Sequence, residues 1–195
     1  MSFSSPLPNH TRQTAKRLFK SRSTLPLQPN SLWKIEKGVV KTMTWLNDGT
    51  IIVLGLWGPG DIVGKALSKV EPYQIECFTD VEATALPPDG WHQVAEILLN
   101  HIQQAEELTV IRRYKKTDIM LIKLLSWLAK RFGREVEQGH LLELRLTHQD
   151  LADILGATRV TITRILSQLE QQGSIERRSL HRFVVREEEF WHYEI

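Results

Sequence analysis

The chain has 195 residues, of which 42% are hydrophobic and 25% are charged, and its formal net charge is +2. These values are ordinary for a soluble globular protein of one or two domains, and a charge near zero restricts any nucleic-acid-binding surface to a local basic patch. The single cysteine, Cys77, excludes an internal disulfide framework, and no apolar run approaches the ~18 residues of a membrane-spanning helix. We therefore expect a cytoplasmic protein without a membrane partner.

The N-terminal segment, residues 1–24, is basic and contains no acidic residue. Its composition resembles that of an organelle transit peptide, but it lacks the apolar centre of a secretory signal. We expect a mobile basic tail with a short helix. Most such tails are simply solvated, so a specific role stays open.

Residues 25–90 predict a small antiparallel β-domain, a β-roll of the jelly-roll type. Short runs of alternating or β-branched residues end in turn signals, among them Asn47-Asp48-Gly49 and Gly58-Pro59-Gly60. Strands that recur every 8–12 residues with glycine turns are typical of an antiparallel sandwich or barrel.

The segment GPGDIVGKA, residues 58–66, raises the question of a phosphate-binding loop. Such a loop needs Gly, four residues, Gly-Lys and then Ser or Thr, but Pro59 occupies the first position and Ala66 the last. Proline also lacks an N–H donor that the loop would need. The segment therefore predicts a turn between strands and not an ATPase site.

Residues 91–117 predict one long helix with an apolar stripe at three- and four-residue steps. The stripe consists of Leu98, Ile102, Ala105, Leu108 and Ile111. A helix of this length spans roughly 37 Å, more than the small β-domain can cover. We expect the stripe to pack against the same helix of a second subunit in a twofold homodimer; packing on the chain's own β-domain is the alternative.

Residues 118–195 predict a C-terminal domain that contains a helix-turn-helix. In HQDLADILGATRVTITRILSQLE, a first helix covers 148–155, Gly156 breaks it, and a second helix begins after Thr158, a good N-cap residue. The small Ala152 suits the point where two helices cross, and Ile162 faces it from the second helix.

One face of the second helix, Arg159–Gln168, is predicted to contact the bases of double-stranded DNA. At about 100° per residue, the apolar side chains share one face, and Val160, Thr163 and Arg164 lie opposite, with Arg159 in the first turn. In the major groove an arginine can bind guanine O6 and N7, and a valine can pack on a thymine methyl group.

Phosphate contacts are predicted on both sides of this helix. Thr147 begins the first helix, where its hydroxyl and the nearby backbone N–H groups can be directed at a phosphate, with His148 beside it. After Gly173 the pattern predicts a β-hairpin wing with a basic tip, placed to lie along the DNA backbone. The basic residues of the wing are Arg177, Arg178, His181 and Arg182.

The order of a β-roll, a long helix and a winged helix-turn-helix resembles the Crp/Fnr family of bacterial transcription regulators over about residues 24–186. LWKIEKGVVK is similar to the family's strand that ends in Lys-Gly, GPGDIVG to its GDxxG turn, and LTHQDLADILGATRVTITRIL to its DNA-binding unit. Within this unit, residues Thr158 to Thr161 and Thr163-Arg164 are most similar to the cyanobacterial nitrogen-control branch.

The resemblance implies roles for single residues and a type of operator. It implies that Arg159, Val160 and Arg164 contact bases. It implies phosphate contacts for Thr147, Gln149, Thr158 and Thr161. The catabolite-activator branch has a glutamate where this chain has Val160, so a GTA…TAC palindrome is expected. RNA polymerase is an expected partner if the protein activates transcription.

Departures from the family bear on the effector. Members that bind cyclic nucleotides have a glutamate after the GDxxG turn and an arginine a few residues on, where this chain has Lys65 and Glu71-Pro72-Tyr73-Gln74. Each missing anchor is a charge-assisted bond worth roughly 1.5–3 kcal/mol, so we predict no binding of cyclic AMP. A pocket of Lys65, Tyr73 and Gln74 could attract a small anion; the alternative is an exposed lysine at a strand end.

No other cofactor is predicted. One cysteine cannot supply the four thiolates of an iron–sulfur cluster. Haem, for which Cys77, His92 or His101 could serve as an axial ligand, is disfavoured, because a lone buried cysteine is more often a small core residue. The histidines show no paired metal-binding spacing.

These patterns predict an α+β protein that is a homodimeric, sequence-specific DNA-binding transcription regulator and not an enzyme. An enzyme related to cupins would need clustered histidine ligands, but residues 25–87 contain no histidine. The second alternative is a ligand-binding or protein-interaction β-roll with a vestigial helix-turn-helix, against which Arg159, Arg164 and the basic wing argue.

Overall fold

The computed structural model describes residues 16–28, 32–178 and 182–186. Its N-terminal part contains the strands β1 (Lys16–Phe19), β2 (Leu32–Lys37), β3 (Val40–Trp45), β4 (Ile51–Trp57), β5 (Ile62–Val63), β6 (Gln74–Cys77) and β7 (Val81–Leu86). The helices α1 (Ala95–Ile111) and α2 (Thr117–Phe132) follow, then β8 (Gly133–Val136), β9 (Gly139–Leu142), α3 (His148–Leu155), α4 (Arg159–Gln171), β10 (Ile175–Arg178) and β11 (Arg182–Arg186). The predicted α+β class is confirmed.

The N-terminal strands form the predicted β-roll. Among the described residues, one antiparallel sheet has the order β1-β7-β2-β5 and the other the order β4-β3-β6. Apolar side chains from both sheets, including Trp33 and Ile35 from the first and Trp57 and Ile75 from the second, share one buried cluster. The hairpin between β3 and β4 turns at Gly49, whose φ of 84° favours glycine.

The short helix predicted near the N-terminus is wrong for the part of that segment that the structure describes. Lys16–Phe19 forms the edge strand β1, in which Lys16 pairs with Thr84 and Phe19 with Val81 of β7. The backbone hydrogen bonds that β7 offers along its edge outweigh the helical preference of KRLF, because tertiary context overrides local propensity. Residues 1–15 of the predicted tail lie outside the described residues.

The long helix is shorter than predicted, and its apolar stripe is divided between two environments. A 3₁₀ turn covers Pro88–Val94 before α1 begins, and α1 ends at Ile111, ahead of α2. Leu108 and Ile111 are buried in the chain's own core, so the prediction that they meet a second subunit is wrong. Leu98 and Ala105 are half-buried against the β-domain side, whereas Ile102 is 55% exposed.

The helix-turn-helix domain and the β-roll share one hydrophobic core. Leu124 and Leu128 of α2 lie in the same buried cluster as Ile162 of α4 and as Val53 and Leu56 of β4. A third sheet, with the order β10-β11-β9-β8, closes this domain within the described residues. None of the described helices combines the length and apolarity needed to cross a membrane.

The turn at residues 58–61 is an anchor for both long helices. Arg131 of α2 donates to Asp61 Oδ2 at 2.7 Å and to the carbonyl oxygen of Leu56 at 2.9 Å. Asp61 also accepts from the Gly58 N–H at 2.8 Å and from Gln104 of α1 at 3.1 Å. The carboxylate of the GPGD turn therefore binds its own backbone and an arginine, as expected for a structural turn.

Arg112, just after α1, joins the two domains through backbone carbonyls. Its guanidinium donates to Ile154 O of α3 at 2.7 Å and to Val53 O of β4 at 2.6 Å. Burial lowers the pKa of Arg112 to about 10, so the side chain stays charged near neutral pH. One buried cation thus satisfies a carbonyl oxygen of each domain.

We expect Arg112→Ala to lower the free energy of unfolding by about 2–3 kcal/mol, because hydrogen bonds from a charged donor contribute roughly 1.5–3 kcal/mol and both carbonyl oxygens lose their donor. Urea unfolding of the variant measures the change. Arg113→Ala is the matched control, since Arg113 is exposed. Equal stability of the two variants would contradict the assigned role of Arg112.

Candidate nucleic-acid interface

The two helices of the helix-turn-helix begin at threonine caps. Thr147 Oγ1 accepts from the Asp150 N–H at 3.0 Å, and Asp150 Oδ2 accepts in return from the Thr147 N–H at 3.0 Å, which completes a capping box. Thr158 Oγ1 accepts from the Thr161 N–H at 3.1 Å at the start of α4. Gly156 ends α3 with a φ of 66°, as the turn requires.

The inward and outward faces of α4 consist of the residues that the sequence predicted for each. Ile162, Ile165, Leu166 and Leu169 are buried in the core. The predicted base-contacting residues are all exposed, and they are Arg159, Val160, Thr163 and Arg164. Val160 is 78% exposed, so its methyl groups are accessible to a partner.

The polar side chains around this face are held by local hydrogen bonds. His148 Nδ1 lies 2.7 Å from Thr163 Oγ1 and so connects α3 to α4. Arg164 donates to Gln168 at 3.3 Å, and Gln149 donates to Asp153 at 2.7 Å. These contacts fix side chains at the surface without burying them, so each polar group remains accessible.

The predicted use of the Thr147 hydroxyl needs a correction. Thr147 Oγ1 donates to Asp150 Oδ2 at 2.6 Å, so its proton is directed at a carboxylate and not at solvent. The backbone N–H of Thr147 has the same acceptor. The first-turn N–H of Gln149, which has no acceptor within the helix, is the remaining candidate for a phosphate contact at this helix start.

The wing is less basic than its sequence indicates. Arg177 lies 3.7 Å from the carboxylate of Glu170, and Arg178 lies 3.1 Å from that of Glu176. His181, predicted to contact phosphate, lies outside the described residues. Arg182 has a buried Nε without a hydrogen-bond partner among the described residues.

A cationic groove lies between the wing sheet and the N-terminal segment of the β-roll. Its volume is about 540 Å³, and Arg145, Arg182 and Thr147 are among the residues that line it. The two acidic residues of the groove are neutralised elsewhere, since Asp80 pairs with Lys20 and Glu143 with Arg134. Sequence reasoning missed Arg145, which lies two residues before the N-cap Thr147 and belongs to no pattern that marks it in the sequence.

Asp150 connects this interface to the β-roll. Arg22, in the N-terminal segment, donates to both carboxylate oxygens of Asp150 at 3.0 Å, and Lys41 of β3 lies at 3.8 Å. Burial acts to raise the pKa of Asp150, but the hydrogen bonds from Arg22 and Thr147 outweigh it, and the pKa lies below its ordinary value of 3.8. No sequence signal singled out this pair, whose members are 128 residues apart.

The predicted effector residues lie together but are engaged with one another. Lys65 Nζ donates to the carbonyl oxygens of Ser68 and Val70 and pairs with Glu71 at 2.7 Å. The same ammonium lies 5.5 Å from the ring centre of Tyr73, and burial raises the pKa of that phenol. Gln74 begins β6 and pairs with Met43. The charge of Lys65 is thus used within its own loop.

Of the residues considered as haem ligands, Cys77 and His101 occupy structural positions, and the side chain of His92 lies outside the described residues. The Cys77 thiol is buried in the β-roll, and burial raises its pKa. The His101 ring stacks on Trp57 with centroids 3.7 Å apart, and its Nδ1 lies 3.1 Å from Ile62 O. Over the described part of the chain, no three His, Cys, Asp or Glu residues are grouped as a metal site. The absence of a cofactor stays a prediction.

A winged helix-turn-helix fused through a helix to a β-roll defines a class of regulator. Residues 121–189 match the model of the Crp-like helix-turn-helix domain. The chain is 41% identical over 164 residues to the regulatory protein CysR of Synechococcus elongatus, an alignment that covers 83% of this chain and 79% of that protein. The chain belongs to the Crp/Fnr family of transcription regulators, as the sequence predicted.

A further relative and two solved structures of the same fold are similar to this chain. The global nitrogen regulator of a Synechocystis species is 28% identical over 156 residues, which cover 71% of this chain and 69% of that protein. A CRP-family transcriptional regulator from Thermus thermophilus superposes with a TM-score of 0.75 at 23% identity, over 88% of this chain and 92% of that one. FixK2 from Bradyrhizobium japonicum gives 0.75 at 18% identity, over 91% and 95%.

We expect Asp150→Asn to lower the free energy of unfolding by about 2–3 kcal/mol near neutral pH, because buried charge-assisted bonds are lost. A lowered pKa means that this contribution is present above the ordinary value of 3.8 and is lost as the pH falls through the still lower folded-state value. Urea unfolding of variant and wild type on descending pH checks this. The control is Asp153→Asn on the same helix, and a gap that persists in strong acid would contradict the assignment.

Proposed function

We propose that the chain is a homodimeric transcription regulator that reads a palindromic DNA site through α4. The observation that carries the proposal is the outward face of this helix, where Arg159, Val160, Thr163 and Arg164 are exposed beside one another. The opposite face holds the helix in the core. The stretch Arg159–Gln168 carries two cations and no acid at the capped start of α4, which suits the major groove.

The residue types favour particular bases. Arg159 and Arg164 each offer the two donors that match guanine O6 and N7, and Val160 offers a methyl surface for thymine. A half-site with guanine and thymine, such as the GTA arm of a GTA…TAC palindrome, fits this set. Thr163 is the remaining candidate for a base contact, and its hydroxyl also donates a hydrogen bond to the Arg159 carbonyl oxygen at 2.9 Å.

Phosphate contacts would come from three places around the reading helix. These are the starts of α3 and α4, with His148, Gln149, Thr158 and Thr161; the wing, with Arg177 and Arg178; and the groove, with Arg145 and Arg182. The groove supports a contact to the DNA backbone, because neither Arg145 nor Arg182 has a carboxylate partner in the described ranges. Such contacts orient the protein without reading sequence.

The exposed face of α1 supports a homodimer. Leu99 is 61% exposed, Ile102 55% and Val110 38%, and these three lie on one side of the helix. A symmetric dimer would bury this stripe against its copy and would set two α4 helices about 34 Å apart, one turn of DNA. Leu98 and Ala105 would lie at the border of this contact.

The remaining parts of the proposal concern regulation. The β-roll would hold any effector, and the use of Lys65 within its own loop supports the prediction that this is not cyclic AMP. RNA polymerase would be a partner if the protein activates transcription. We propose no enzymatic activity, since the family consists of transcription regulators, and we propose the cytoplasm as the place of action.

We expect Arg159→Ala to weaken binding to the specific palindrome about 10–100-fold while leaving binding to unrelated DNA unchanged, because a bidentate base contact is worth roughly 1–3 kcal/mol. Arg145→Ala should instead weaken both equally and reduce the salt dependence by about one phosphate contact. Gel-shift titrations at several salt concentrations measure both variants. Wild-type affinity in Arg159→Ala would favour the alternative of a vestigial helix-turn-helix.

We expect Ile102→Glu to convert the dimer to monomers, because two carboxylates would be buried near the twofold axis. Sedimentation equilibrium measures the mass. Asn100→Glu is the control, since Asn100 is also exposed but lies about 160° around the helix from Ile102. A dimer that survives Ile102→Glu would show that another surface carries the association.

A further inference from the structure

Residues 21–25, just after β1, are held to the β-roll by hydrogen bonds. The Arg22 N–H donates to Cys77 O at 2.8 Å, and the Cys77 N–H donates to Ser23 O at 2.8 Å. The Ser21 N–H donates to Asp80 at 2.9 Å. The backbone on both sides of Arg22 is therefore a fixed part of the β-domain.

Arg22 itself has an unusual backbone conformation. Its φ is 68°, and among the described residues other than glycine it alone has a positive φ. Residues other than glycine rarely adopt this backbone conformation, which persists only where the surroundings enforce it. Strain of this kind is common at positions that serve a function.

The contact that Arg22 makes crosses from the β-domain to the helix-turn-helix. Its guanidinium binds both oxygens of Asp150 and also reaches Glu76 at 3.2 Å, while Lys41 lies 3.3 Å from Glu76. Two cations and two carboxylates balance in this cluster. Since Asp150 also caps α3, the cluster holds the start of that helix directly against the β-roll.

The docked arrangement leaves the DNA-facing side of α4 exposed. The covalent connection between the domains is the short stretch 112–116, which separates α1 from α2. A domain held only there could rotate about the connection. The shared core and the contacts of Arg112 and Arg131 already hold the two domains together. Arg22 adds an attachment at the start of α3, 128 residues away in sequence from its partner, which further restrains such a rotation.

We propose that Arg22 is a positioning residue that fixes the orientation of the helix-turn-helix on the β-roll and thereby sets the half-site spacing that the dimer accepts. This inference rests on the proposed function. Two half-sites bind together only when both α4 helices meet successive major grooves, about 34 Å apart. A loosened domain still binds one half-site, but it binds the pair less tightly and tolerates other spacings.

The test compares Arg22→Gln with wild type on three duplexes. These carry the full palindrome, a single half-site, and the palindrome with its arms moved apart by about 7 Å through two added base pairs. For Arg22→Gln we expect a loss of about tenfold on the full palindrome, a change below about twofold on the half-site, and weaker discrimination against the spread palindrome. Arg22→Lys, which keeps the charge but not the two-pronged geometry, should lie between the two proteins.

Arg17→Gln is the matched control, because it removes one exposed cation from β1, in the same N-terminal part of the chain but outside the groove. It should behave as wild type on all three duplexes. An equal loss of Arg22→Gln on the half-site and the palindrome would overturn the inference, since Arg22 would then be a phosphate contact or a folding residue. An unchanged spacing preference would also overturn it, whereas a wild type without any preference for the palindrome would reject the proposed function itself.

Discussion

The carboxylate of Asp150 is the group on which the arrangement of the two domains depends. It accepts from the backbone and hydroxyl of Thr147, which starts α3, and from both nitrogens of the Arg22 fork. A buried carboxylate is costly unless its oxygens are fully bonded. Because one group serves the helix cap and the domain contact together, the start of the DNA-facing unit cannot shift without disturbing the attachment to the β-roll.

A second carboxylate–arginine pair also joins the two domains. Asp61 of the β-roll binds Arg131 of α2, just as Asp150 of α3 binds Arg22 of the N-terminal segment. Arg112 adds carbonyl contacts to β4 and α3. The shared apolar core and these arginines make the domains one body, so a change in the β-roll would be carried to α4. Such coupling is how regulation through helix geometry would work in the proposed dimer.

The sequence predicted the elements whose signals are local. Hydrophobic periodicity and the caps Thr147 and Thr158 located α3 and α4, and the glycine turns located most of the β-roll. The strand β1 was not predicted, because its partner β7 is over sixty residues away. The hairpin β8–β9 was missed because GREV and GHLL carry no strong alternation. Leu108 and Ile111 were assigned to a partner because periodicity identifies an apolar face without naming what covers it.

The polar contacts between domains could not be predicted in the same way. Arg22, Asp150 and Arg112 look like ordinary surface residues in the sequence, and only the fold brings them together. The outward-facing residues of α4 could be predicted, unlike these contacts. Once the N-cap and the core-facing residues of a helix are known, the helical repeat determines which of its other side chains face outward.

The most direct measurement is a hydroxyl-radical footprint of the wild-type protein on a palindromic duplex with GTA and TAC arms. Two symmetric protected regions, with the reading helices in major grooves about one helical turn apart, are the predicted result. Protection of a single region, or a uniform decrease without register, would contradict the account, because paired α4 helices could not then be held in successive grooves.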